Sequence, residues 1–177
     1  MPLVTFFTIF ILGPIPIFHF FLHLFLKFWK RNPKALYLMG ALLWVIFFIL
    51  AWFLSKISVI IFVPSQWLVI LSGITIFGAF FLLVWSITTL GFKRFWFWAV
   101  ISPDKVRQAY IKFGPYRSMS HPAYTAYIAI AIAAFFATGH ATLLIFIAYI
   151  IILIITVVYL ENEELRKRVD VDKKIAS

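Results

Sequence analysis

Eleven residues in the second half of the chain, Gly114-Pro115-Tyr116-Arg117-Ser118-Met119-Ser120-His121-Pro122-Ala123-Tyr124, gather an arginine, a histidine, serines and two tyrosines between long apolar stretches. A second polar cluster, Glu161-Asn162-Glu163-Glu164-Leu165, follows the next pair of apolar stretches. Pro122 suits the first turn of a helix, where a missing N–H costs nothing. That helix start, with its first-turn N–H groups and positive dipole end, can hold an anion. Arg117 adds a forked cation and is the candidate catalytic residue. His121, Tyr124 and Tyr116 add hydrogen-bonding groups, Glu163 or Glu164 can accept from a hydroxyl or an ammonium, and Gly114 lets the loop backbone approach closely.

Each residue also has a plainer reading. His121 precedes a helix whose start Pro122 fixes, and Arg117 is one more interfacial cation whose stem lies along apolar surface. Glu163 with Lys167, and Glu164 with Arg168, are i, i+4 pairs on an exposed helical extension. Acidic groups are nevertheless unfavourable at the end of a helix that stops near residue 160, and the two clusters together favour a site. Earlier in the chain His19 and His23, spaced i, i+4, share a helical face as metal-binding pairs do. No third ligand is evident near them in sequence, so they read as packed or interfacial histidines and no metal is expected. The chain has no cysteine, which excludes disulfides, thiolate ligands and thiol nucleophiles.

The elements that must position these groups are membrane spans. Hydrophobic residues make up 64% of the chain, charged residues only 12%, and the mean hydropathy is +1.05, values foreign to a soluble domain. The charges are clustered, leaving apolar runs of the length, about 20 residues, that a bilayer-crossing helix needs. A net charge of +10 raises nucleic acid as a partner, but no basic soluble module is present to bind it.

Residues 3–28 read as a retained first span, without the basic start and small-residue cleavage site of a signal peptide. Gly13-Pro14-Ile15-Pro16 predicts a kink in it, with two half-spans as the alternative. Asn32-Pro33 breaks the helix before a second span at 35–54. Pro64-Ser65 divides the long apolar run that follows, making 57–63 an outer-face connection and 66–90 the third span. Along that span Ser72, Thr75, Ala79 and Ser86 mark a helix–helix seam. Residues 92–98 form an aromatic and basic interfacial belt. Ser102-Pro103-Asp104 starts a short helix, or else residues 108–118 form a hairpin-like loop. The fourth span covers 122–138, with a packing stripe of Ala126, Ala129, Ala133 and Ala137. Gly139-His140 is a tight turn, and 141–160 is the fifth span.

Of the 16 Lys and Arg residues, Lys27 closes the first span and all the others but Lys56 fall after the first, third or fifth span. In a five-span chain those three regions share one side, together with every acidic residue. The positive-inside rule makes that side cytoplasmic and the N-terminus external. The fold expected is therefore an all-α integral membrane domain spanning residues 1–177, its signature loop at 92–121 and its charged tail at 161–177 on the cytoplasmic face.

The two clusters resemble the signature of the membrane methyltransferases that include isoprenylcysteine carboxyl methyltransferase and the phospholipid methyltransferases. That family carries a Gly-Pro-Tyr-Arg loop, an Arg-His-Pro-x-Tyr-x-Gly helix start and a Glu-Glu pair after the last span. Ser120 stands where the family has Arg, Ala126 where it has Gly, and the run from Arg166 to Ser177 replaces an aromatic tail. The resemblance implies S-adenosylmethionine as cofactor, bound by Gly114, Tyr116, His121, Pro122, Tyr124, Glu163 and Glu164. It also implies a lipophilic acceptor, with the carboxylate of a prenylated cysteine first among them. Such a protein sits in the plasma membrane of a prokaryote or the endoplasmic reticulum of a eukaryote. Direct methyl displacement needs alignment and water exclusion rather than a metal or an enzyme nucleophile. Two other functions are weighed beside it: a non-catalytic scaffold or lipid-binding relative, and an NADPH-dependent reductase like the membrane sterol reductases. The methyltransferase reading requires the turn before the fourth helix and the acidic exit of the fifth to meet in one pocket.

Overall fold

The structure, a computed structural model, describes residues 2–57, 59–95, 98–102 and 111–176; the side chains of 98, 99 and 167–176 lie outside that description. Among the described residues helix is the dominant form. In chain order the helices are α1 (Pro2–Leu12), α2 (Pro14–Leu24), α3 (Leu26–Arg31), α4 (Pro33–Ile57), α5 (Gln66–Leu90), α6 (Phe92–Phe95), α7 (Trp98–Ile101), α8 (Pro122–Thr138) and α9 (Ala141–Ala176). A 3₁₀ turn at Gly114–Arg117 precedes α8.

The expected kink falls at Gly13. Pro14 and Pro16 cannot donate backbone hydrogen bonds, so α1 ends at Leu12 and α2 begins at Pro14. Together they make one bent apolar element. The Tyr149 hydroxyl of α9 donates to the Gly13 carbonyl at 2.8 Å and ties the bend to the bundle. Pro33 opens α4, which is longer than the predicted second span at both ends. The boundaries of α5 coincide with prediction. Ser65 caps it, its hydroxyl accepting from the Leu68 N–H at 3.4 Å.

The connection before α5 is extended and pinned to the turn between α8 and α9. Ile61 N–H donates to the Gly139 carbonyl and Ala141 N–H to the Val59 carbonyl, each at 2.8 Å. Gly139 has a φ of 67°, and a Cβ there would strike the Phe62 carbonyl, so only glycine fits. The neighbouring His140 is buried and shares a 3.0 Å hydrogen bond with Thr5 of α1. Burial holds its pKa below the ordinary imidazole value.

The core joins α1, α4, α8 and α9 through Ile9, Leu12, Phe47, Ala131, Ile150 and Val157. Against it α5 lies along α8, the most extensive helix pair. Ser72, Ala79 and Ser86 are buried in that seam, with Thr75 half-buried. Ser86 and Thr75 donate to carbonyls of their own helix, Leu82 and Leu71, which satisfies their hydroxyls without water. On α8 the buried alanines are Ala126, Ala131, Ala133 and Ala134, whereas Ala129 and Ala137 are half-buried. The single predicted stripe widens because α8 packs on α1, α5 and α9 together.

Of the two readings of residues 161–164, the helical extension is the one realised: the last helix continues past the predicted fifth span. Between Ala141 and Ala176 there is neither glycine nor proline, and glutamate, leucine, arginine and lysine continue a helix readily. Residues 161–164 are thus mid-helix, and the helix-end argument does not apply to them. The paired side chains proposed at Lys167 and Arg168 lie outside the described residues, as do 103–110, where a helix or hairpin was expected. Of the aromatic belt, residues 96–97 and the Trp98 side chain also lie outside.

Among the described residues, four helical stretches are long and apolar enough to cross a bilayer: Pro2–Leu24, Pro33–Ile57, Gln66–Leu90 and Ala141–Arg166; α8 is apolar but shorter. Their outer faces expose Trp67, Phe77, Phe81, Ile145 and Ile152. In water such continuous patches promote association. Facing lipid tails they are in their proper solvent, and the protein is an integral membrane protein.

Candidate functional site

The site grows from the buried stripe of α9. Leu143, Phe146, Ile150, Ile154 and Val157 are buried at helical spacing, and the same stepping leads on to Glu161 and Glu164. Because the helix continues, its inward face changes from apolar to anionic. Three other elements meet it there: α2 brings His19 and His23, the start of α8 brings His121 and Tyr124, and the 3₁₀ turn brings Tyr116.

Glu161 is the centre. Tyr124 donates its hydroxyl proton to Glu161 Oε1 at 2.6 Å. His23 Nε2 and His19 Nδ1 lie 3.4 and 3.6 Å from that oxygen, and His121 Nδ1 lies 3.4 Å from Oε2. Glu164 Oε2 stands 3.1 Å from the other nitrogen of His23. His121 occupies the cap position of α8, but its side chain turns to Glu161 and, through Nε2, to Asn162 Oδ1 at 3.3 Å. Its ring stacks on Tyr124 with centroids 5.6 Å apart. Burial, reinforced by the Glu161 charge, pushes the Tyr116 hydroxyl up to about 12, so it remains a proton donor at neutral pH.

These groups form the polar end of a cavity of about 730 Å³, within the range of small-molecule sites. Its apolar wall is formed by Phe18, Leu36, Leu43 and Trp44 of α2 and α4, and Arg94 and Lys112 add cations at the rim. Tyr116, His121 and Tyr124 line it, and so does Ser120, one of the departures from the family signature. Ala126, the other departure, is wholly buried in the bundle.

The remaining predicted residues stand elsewhere. Gly114 has a φ of 57°, and its Cβ would come within 2.7 Å of Thr89 Oγ1, so the close approach it permits is to the end of α5. Pro122 is buried at the first turn of α8. Arg117 is exposed and is not among the cavity-lining residues. Glu163 turns to Arg166, 3.8 Å away, while Glu164 backs His23. Sequence reasoning did not give the site Glu161, Asn162, His19, His23, Arg94 or Lys112.

Fold and cavity define a helical membrane protein with a cavity of small-molecule size beside its two polar clusters. Residues 67–167 match the isoprenylcysteine carboxyl methyltransferase (ICMT) family. That stretch runs from α5 through both polar clusters and is more than half of the chain, which therefore belongs to this family of membrane methyltransferases. No curated protein and no solved structure matches the chain. His19 and His23 precede the matched region.

Proposed function

We propose that the protein transfers a methyl group from S-adenosylmethionine to a lipophilic acceptor, with the carboxylate of a prenylated cysteine the acceptor that best suits the family. The observation that carries this reading is a cavity that joins a polar, charged end to an apolar wall formed by α2 and α4. S-adenosylmethionine would supply an electrophilic methyl carbon, so the chain need only align, hold and dehydrate. The polar end suits a cofactor bearing both charges and hydroxyls. Glu161 can accept from an ammonium or a hydroxyl, Tyr116 and His121 can donate, and Arg94, Lys112 and the α8 N-terminus favour a carboxylate. Phe18, Leu36 and Trp44 offer an apolar chain a path along the wall.

In this reading α8 is a fifth crossing, the N-terminus is external and the cavity's polar end faces the cytoplasm, where the basic residues concentrate. His121, Tyr124 and Tyr116 keep the cofactor-binding roles assigned from the signature, joined by Glu161, while Glu164 stands behind His23. Pro122 and Gly114 serve by shaping the helix start and the turn. Arg117 and Glu163, outside the lining, would act only if the turn moves on binding, and the charge between donor and acceptor falls instead to Arg94 and Lys112.

The test is ligand-induced stabilisation. S-adenosylhomocysteine at a hundredfold its Kd adds about 2.7 kcal/mol to the folded state and should raise the Tm of the detergent-solubilised protein. His121→Ala and Glu161→Gln should remove the shift, and NADPH should give none. A shift with NADPH alone would place the chain with the reductases, and no shift with either would favour the scaffold.

A further inference from the structure

We propose that His19, His23 and Glu161 form a binding site for a divalent transition-metal ion of the zinc type, with its remaining coordination positions open to the cavity. One donor atom from each residue lies within 4.8 Å of the other two. The two imidazole nitrogens are 3.6 and 3.4 Å from the same carboxylate oxygen. Tetrahedral zinc with bonds of about 2.0–2.1 Å keeps neighbouring donors roughly 3.4 Å apart, which the two histidine–glutamate separations already match, and an ion would draw the remaining donor pair together.

The surroundings support a ligand there. The His23 side chain is 1% exposed, and neither of its ring nitrogens has a hydrogen bond of proper geometry; the same is true of His19 Nδ1. Buried imidazole nitrogens left in that state are unfavourable, and a metal ion would satisfy one on each ring. The outer contacts have the arrangement of a metal's supporting shell. Glu164 Oε2 lies 3.1 Å from His23 Nδ1, near enough that a small turn of the ring on metal binding would let Nδ1–H donate to it while Nε2 faces the ion, as in a carboxylate–histidine–metal relay. Tyr124 orients the ligating carboxylate through its 2.6 Å hydrogen bond. Two imidazoles and a carboxylate favour zinc or its transition-metal neighbours over magnesium and calcium, which prefer all-oxygen sites. All three ligands line the cavity, so water or an anionic group of a bound molecule can complete the coordination. Both histidines lie outside the family match, and the proposal does not rest on the methyltransferase reading.

The experiment uses the full chain purified in detergent, stripped with a chelator and returned to buffer. Zn²⁺ should raise its Tm, and Co²⁺ should bind one ion per chain with the intense visible bands of low-coordinate cobalt. His19→Ala and His23→Gln, each checked for helix content by circular dichroism, should weaken Zn²⁺ binding by about tenfold or more and abolish the bands. Should either variant fail to fold, the wild-type cobalt spectrum decides. A folded wild type without bands or a Zn²⁺ shift overturns the proposal, as does Zn²⁺ binding that both variants retain. S-adenosylhomocysteine binding is measured on the same zinc-free and zinc-loaded samples, so failure of the metal site and failure of the methyltransferase reading are told apart.

Discussion

Glu161 receives a hydroxyl from α8 and faces three imidazoles from α2 and α8. Glu161→Gln keeps its shape and removes its charge, and the affinity for S-adenosylhomocysteine in calorimetry should fall by about tenfold or more, the scale of a lost charge-assisted hydrogen bond. Tyr124→Phe removes the 2.6 Å donor without opening a cavity. It should destabilise the fold by about 1–3 kcal/mol, the cost of a buried acceptor left short of a donor, read as a lower Tm. His140 answers to pH. Burial depresses its folded pKa, so in the pH range below the ordinary imidazole value the unfolded chain binds a proton that the folded chain refuses. Stability is therefore present above that value and lost as pH falls, and His140→Asn should lose less Tm on acidification than wild type. At this scale the sequence named Glu163 and Glu164, whereas the contacts of the polar cluster centre on Glu161. Glu163 and Glu164 were singled out because they match the family's Glu-Glu pair. Had the stripe of Ile150, Ile154 and Val157 been carried onward, it would have picked out Glu161 and Glu164 instead.

Among the elements, proline and glycine left the clearest marks. Pro14, Pro33, Pro64 and Pro122 lie at or beside the boundaries read from them, because a missing donor acts locally whatever the tertiary context. The turn before α8 depends on Gly114. Gly114→Ala forces a side chain into left-handed backbone, at about 1–2 kcal/mol, and against Thr89. Its Tm should fall, and adding Thr89→Ala should recover only the part due to the clash. The α5–α8 seam was legible from Ser72, Ala79 and Ser86, since small residues at helical spacing have few other uses between lipid-facing helices. The α8 surface was less so: alanine is small on every side, and nothing in the sequence tells how many neighbours a helix will have. Where α9 ends could not be read from a fall in hydropathy, because helix and hydrophobicity part company at Leu160.

At the scale of the whole molecule, the membrane setting followed from composition alone, whereas the site's full membership did not. His19 and His23 reach Glu161 only through packing between the two ends of the chain, a relation that no local spacing encodes. The proposed orientation can be checked directly, because the chain lacks cysteine. In sealed vesicles of native orientation, Lys56→Cys should react with an impermeant maleimide from outside, and Lys34→Cys and Lys112→Cys only after permeabilisation; the reverse pattern would invert the topology. The central claim is methyl transfer at the Glu161 cavity. Its most direct measurement is the passage of a tritiated methyl group from S-adenosylmethionine to a farnesylated cysteine, catalysed by the purified protein in lipid. The account predicts transfer by wild type and about a tenfold or greater loss in Glu161→Gln and His121→Ala. A folded wild type that transfers nothing to this or another lipophilic acceptor, or variants that match its rate, would contradict it.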